Sequence, residues 1–226
     1  MALTGSNIYE EWEKSLFLPK TGTMPSLRLR LTRDALHVPL VESVLRKLSK
    51  SNEEYPLENA ISGICFHSVA RDGSGPANRA SKVLEDVVAQ MILQGLVNLS
   101  AADANLRELA HELFSVNAEN SLPDRYWTLL RGLIRLTSGR QILIVLDRLE
   151  CIHEEDRVKF VHCLKDLQMH NPMIACLVSH SPNNFLDRVL EHMSTFDAAK
   201  DIKGQIVSVP QVRKVAHQPL QMRLNP

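Results

Sequence analysis

Gly139-Arg140-Gln141-Ile142-Leu143-Ile144-Val145-Leu146-Asp147-Arg148-Leu149-Glu150 carries the strongest fold signal in this chain. Five apolar residues in a row leave no polar face, so Ile142 to Leu146 is expected to be a strand covered on both sides. The run ends on the carboxylate of Asp147, where a parallel strand opens into a ligand crevice. Downstream, Met173 to Val178 is a second run of strand length, continuing through Ser179, His180 and Ser181 to Pro182.

Between the two runs, Val158, Val161, Leu164 and Leu167 recur at helical spacing, and Asn171-Pro172 stops the helix because proline cannot continue it. Beyond Pro182, Asn183 can cap a helix bearing Phe185, Leu186, Val189, Leu190 and Met193, and Gln205 to Val209 is a candidate last strand. Upstream, Ile61 to Phe66 is another apolar run. A helix near residues 79 to 97 follows, with Ala80, Val83, Leu84, Val87, Val88, Met91 and Ile92 on one stripe. Ser100 to Asp103 and Ser121 to Asp124 have capping-box spacing. They precede the stripes Leu106, Leu109, Ala110, Leu113, Phe114 and Tyr126, Leu129, Leu130, Leu133, Ile134, Thr137. Strand-length runs alternating with helical stripes predict an α/β fold, a parallel sheet with helices on both faces.

The phrase Ile142 to Glu150, the helix after it and Cys176 to Pro182 together resemble a P-loop nucleotidase of the NACHT type, in particular the nephrocystin-like NACHT domains of filamentous fungi. The resemblance covers roughly residues 58 to 190 and includes Ile61 to Asp72. It implies that Ile142 to Asp147 is a Walker B strand, that Asp147 helps hold a magnesium ion, and that Glu150 polarises the attacking water. Ser181 then stands at the sensor position, where the family has an arginine.

The chain departs from that family in its phosphate loop. Such a loop needs Gly-x-x-x-x-Gly-Lys-Ser/Thr, and no Gly-Lys pair occurs anywhere. The loop position, after the short apolar run Leu16-Phe17-Leu18 and before a helix bearing Val41, Val44, Leu45 and Leu48, reads Pro19 to Pro25, and Lys20, Thr21 and Gly22 are its candidate nucleotide-binding residues. The alternative is an exposed turn between two prolines. Arg148 replaces a small residue and Cys151 replaces a second acid, which weakens hydrolysis more than binding.

Composition narrows the function. The chain has 226 residues, 44% of them hydrophobic, and its 26 basic and 26 acidic residues cancel, so nothing points to nucleic acid or to a membrane surface. A long apolar span and a secretory leader are both absent from the pattern, and a cytoplasmic location is expected. The four cysteines suit that compartment; Cys151, His153, His162 and Cys163 lack the short spacing of a zinc site. Ser179-His180-Ser181 is no hydrolase motif, because neighbouring strand residues face opposite ways and no Gly-x-Ser-x-Gly elbow exists. Gly73-Ser74-Gly75 reads as a turn, and Arg28, Arg30 and Arg33, alternating with leucines, as the solvated side of an edge strand.

Three segments are expected: residues 1–36 with the degenerate phosphate loop, 37–209 as the NACHT-like α/β domain, and 210–226 as a basic tail. The function implied is a degenerate NACHT-like module working through protein partners, including full-length relatives, with no cofactor. The alternatives are a weak NTPase binding ATP or GTP with magnesium through an unusual loop, and a gene fragment without selected activity.

Overall fold

In the computed structural model, residues 7–18, 23–31, 37–54, 60–69, 78–115, 123–137 and 139–197 are described. The elements run α1 (Asn7–Phe17), β1 (Leu27–Arg30), α2 (His37–Glu54), β2 (Gly63–Ser68), α3 (Ala80–Leu93), α4 (Ala104–Ser115), α5 (Pro123–Arg135), β3 (Ile142–Asp147), α6 (Glu154–His170), β4 (Ile174–His180), α7 (Asn184–Val189) and β5 (Ser194–Asp197). The strands form one sheet of five in the order β2-β3-β4-β1-β5, every pairing parallel.

The expected α/β architecture is therefore present, with the three predicted strands side by side. All six residues of β3 and all seven of β4 are buried, which is why their sequences show no alternation. On one face, α1 and α2 cover Leu143, Val145, Ala175 and Leu177; on the other, α3, α5, α6 and α7 cover Ile142, Ile144, Leu146, Cys176 and Val178. Each such aliphatic side chain, fully buried, stabilises the fold by roughly 1.5–3 kcal/mol. β2, with one neighbouring strand among the described residues, alternates between buried and more exposed positions.

The N-terminal part differs from expectation. Leu16 and Phe17 lie in the last turn of α1, and both are buried against the sheet. The first strand is Leu27–Arg30, and it lies inside the sheet between β4 and β5, so its arginines do not face solvent at an edge. Arg28 is only 8% exposed: it donates to the Asp187 carbonyl at 2.8 Å and to Thr195 Oγ1 at 3.0 Å, while Arg30 Nε lies 3.1 Å from Asp187 Oδ1. A carboxylate from α7 thus lets two cations sit beneath a helix. Leu27 and Leu29 of β1 share a buried cluster with Val41, Val44 and Leu48 of α2.

At the other helix ends, Asp103 rather than Ser100 caps α4, accepting the Leu106 N–H at 2.8 Å, and Ser100 lies in a 3-10 turn capped by Asn98. Asn183 caps α7 as expected, accepting from Phe185 and Leu186. Ser121, Gly73 to Gly75, Gln205 to Val209 and the tail lie outside the described residues.

Candidate functional site

The sheet reverses its winding between β1 and β4. From β1 the chain travels across the sheet to β2 with α2 on one face; from β4 it travels the opposite way to β5 with α7 on the other. Crossovers of a single hand require that change of face, and adjacent strands that depart to opposite faces leave a crevice at their carboxyl ends. Leu31, His180 and Ser181 stand at its rim: Leu31 N–H donates to the His180 carbonyl at 2.9 Å.

One strand away, Asp147 ends β3. It is 1% exposed, and two serine hydroxyls point their protons at it: Ser68 donates to Oδ2 at 2.8 Å and Ser179 donates to Oδ1. Ser68, Asp147 and Ser179 occupy the carboxyl-end positions of three neighbouring strands, and the serines hold the carboxylate from both sides. Ser179 Oγ also accepts the Arg148 N–H at 3.1 Å, and the Arg148 guanidinium lies 3.8 Å from Asp147 Oδ2. Arg148 has φ 61°, ψ 51°, the left-handed conformation that a small residue or glycine adopts more readily.

Glu150 lies in the 3-10 turn Leu149–Cys151 directly after that residue; its carbonyl accepts from Arg157 at 2.9 Å. Its charge reaches His180, on the opposite face of β4 from Ser179. His180 is fully buried, with Nδ1 donating to the Ser181 carbonyl at 2.7 Å and Nε2 3.9 Å from Asp187 Oδ1. Burial pushes its pKa below the ordinary histidine value, so the ring is neutral, and proximity to Asp187 and Glu150 only partly offsets that. Ser179 and His180 face opposite ways, as their adjacency in a strand demands, and make no nucleophile pair.

Lys20, Thr21 and Gly22 lie outside the described residues. The chain just after them joins the sheet at its amino end: Met24 donates to the Pro172 carbonyl at 2.7 Å, and Ser26 Oγ accepts from Cys176 N–H and Gln168. The segment between the first strand and its helix is residues 31–36, Leu-Thr-Arg-Asp-Ala-Leu, with neither glycine nor lysine.

Among the described residues, no cluster of three or more His, Cys, Asp or Glu side chains could hold a metal, and no helix is long and apolar enough to cross a membrane. None of the four cysteines is in a disulfide, and burial pushes Cys65 and Cys176 up to about 12, so neither is a reactive thiolate at neutral pH. Sequence reasoning passed over Ser68 and Asp187, weighed Ser179 only against a hydrolase motif, and read Arg28 and Arg30 as solvated; only the hydroxyls flanking an isolated strand-end carboxylate offered a signal.

No family model and no curated protein matches this chain. Among solved structures it is similar to a chain in "Structure of Drosophila ORC bound to AT-rich DNA and Cdc6", at 14% identity and a TM-score of 0.45, covering 85% of this chain and 55% of that one. A likeness that distant says nothing further about the site. What the coordinates define is an all-parallel α/β sheet with helices on both faces and a winding reversal between β1 and β4.

Proposed function

We propose that this chain is a NACHT-like, P-loop-type scaffold that acts through contact with other proteins and does not turn over nucleotide. The observation that carries the reading is the state of Asp147. Each oxygen of this carboxylate already accepts one serine hydroxyl, and although each has a second lone pair, the side chain is only 1% exposed, which leaves little access for a hydrated ion. Its arrangement fits an internal tie between strands better than a metal ligand. The absence of any Gly-Lys pair and the composition of residues 31–36 support the same reading, since phosphate affinity rests on glycine-rich backbone amides and a lysine. The neutral charge balance favours a protein partner over nucleic acid.

One observation favours the weak NTPase as a second reading: β1 ends on Arg30, followed by Leu31, at the winding reversal, where an α/β sheet takes its ligand. Melting the protein with and without millimolar ATP-Mg or GTP-Mg separates the two. Nucleotide at about a hundred times its dissociation constant would add about 2.7 kcal/mol to stability. The scaffold reading expects no shift, and Asp147→Asn to respond to nucleotide no differently; a clear rise that Asp147→Asn abolishes would establish the NTPase reading instead.

A further inference from the structure

β2 is the last strand on its side of the sheet, paired with β3 along one edge and with no strand along the other among the described residues. An open edge of this kind offers unpaired peptide groups to any other strand. Here side chains close it. Gln90 Nε2 donates to the Phe66 carbonyl at 2.7 Å, and Gln90 Oε1 accepts the Phe66 N–H at 2.8 Å. One turn further along α3, Gln94 repeats the pair on Ile64, donating to its carbonyl at 2.9 Å and accepting its N–H at 3.3 Å. Each carboxamide does what a peptide group of a neighbouring strand would do.

The spacing makes this possible: four residues of helix rise about 6 Å and two residues of strand about 6.7 Å. Gly63 makes room, since a Cβ there would sit 2.9 Å from Gln94 Oε1 and 2.4 Å from Leu96 Cδ1. All four bonds lie at the exposed surface, where water could satisfy the same atoms. Burial therefore does not require the glutamines, and fixing two such long side chains costs rotamer freedom.

What the pair does is exclude a strand. Gly63 to Ser68 contains no proline and no Asp, Glu, Lys or Arg, and Phe66 is 39% exposed, the composition of a segment prone to pair. A second copy of the same strand is always present at the protein's own concentration. An antiparallel pairing centred on Cys65 would set Ile64 opposite Phe66 of the second copy and use the N–H and carbonyl of both residues, the same four atoms the glutamines hold. We propose that Gln90 and Gln94 are a built-in cover of the β2 edge that keeps two copies of this chain from pairing through it.

The test is the oligomeric state of Gln90→Ala/Gln94→Ala, followed by light scattering over a concentration series beside the unsubstituted chain. The expected result is a mass that rises twofold over that of the unsubstituted chain as concentration rises. Adding Ile64→Pro, which removes the outward N–H, should return the mass to its starting value. A natively folded double variant that never gains mass, or one whose association survives Ile64→Pro, would overturn the proposal. Hydrogen exchange on the unsubstituted chain does not depend on the variants folding. The Ile64 and Phe66 amides should exchange at least about tenfold more slowly than solvated amides, the equivalent of about 1.4 kcal/mol of protection. Exchange at the solvated rate would mean that no cover exists.

Discussion

Ser179 donates its hydroxyl proton to Oδ1 of Asp147 and accepts the N–H of Arg148, so one side chain of β4 fixes both the last residue of β3 and the turn that follows it. Replacing it with alanine leaves a buried carboxylate short of one donor and a backbone N–H without its acceptor. Ser179→Ala should cost about 1–3 kcal/mol. In urea the midpoint should fall while the slope stays constant; an unchanged midpoint would remove this tie from the account of Asp147.

Arg148 tests the turn itself. At φ 61° a β-branched side chain is strained, whereas glycine is at ease. Arg148→Val should lose about 1–2 kcal/mol, and Arg148→Gly should stay within about 0.5 kcal/mol of the unsubstituted chain, the relief of backbone strain offsetting the lost contact with Asp147. Equal losses for the two variants would show that the side chain, not the backbone, matters here.

His180 gives the fold a dependence on pH. Its folded pKa lies below that of the unfolded chain, which binds a proton from about pH 6.5 downward. Between those two values the unfolded state holds more protons, so stability is full above about 6.5 and is lost as pH falls toward the folded pKa. The groups acting on the ring are the Ser181 carbonyl, Asp187, Arg28 and Glu150. Unfolding midpoints at about pH 7.5 and 5.5 should therefore differ, and the gap should narrow in His180→Gln. His67, held by Asp86 at 2.8 Å and also shifted down by burial, accounts for part of what remains.

Val145 is 1% exposed in the middle of β3. Val145→Asp puts an unpaired carboxylate in an apolar sheet at a cost of several kcal/mol, against a total stability of roughly 5–15. No cooperative melt should remain. Val158, 49% exposed on α6, provides the contrast, and Val158→Lys should change stability by less than about 0.5 kcal/mol.

The two strands plainest in the sequence, β3 and β4, are those covered on both faces. Ile142 to Leu146 of β3 and Ile174 to Val178 of β4 are apolar because they lie between two helix layers, and polar residues enter only at the carboxyl ends, at Asp147, Ser179 and His180. β1 was misjudged because Arg28 and Arg30 have a solvated look, and the residue that takes their charge, Asp187, stands far along the chain. β5 follows α7 after a few residues and has no periodicity of its own. At the site, Asp147 was found from its position at a strand end, but its two hydroxyl partners belong to other strands, so what the carboxylate is bonded to emerged only once the strands were in register. Gln90 and Gln94 were invisible for a related reason, since polar residues on a helix are expected at its solvated side.

The place of β1 sets an order of events while the chain is being made. Ser26, at its start, bonds to Cys176 of β4, 150 positions away, and β5 lies further still. At a synthesis rate of about 5–20 residues per second, on the order of ten seconds separates the appearance of Leu27 and Leu29 from that of the strand they must join. β2, β3 and β4 can meet as each emerges; β1 has to be kept from other strands and then admitted beside β4. Closing so long a loop slows folding, so the admission of β1 is the step at which a newly made chain is most exposed to association with its neighbours.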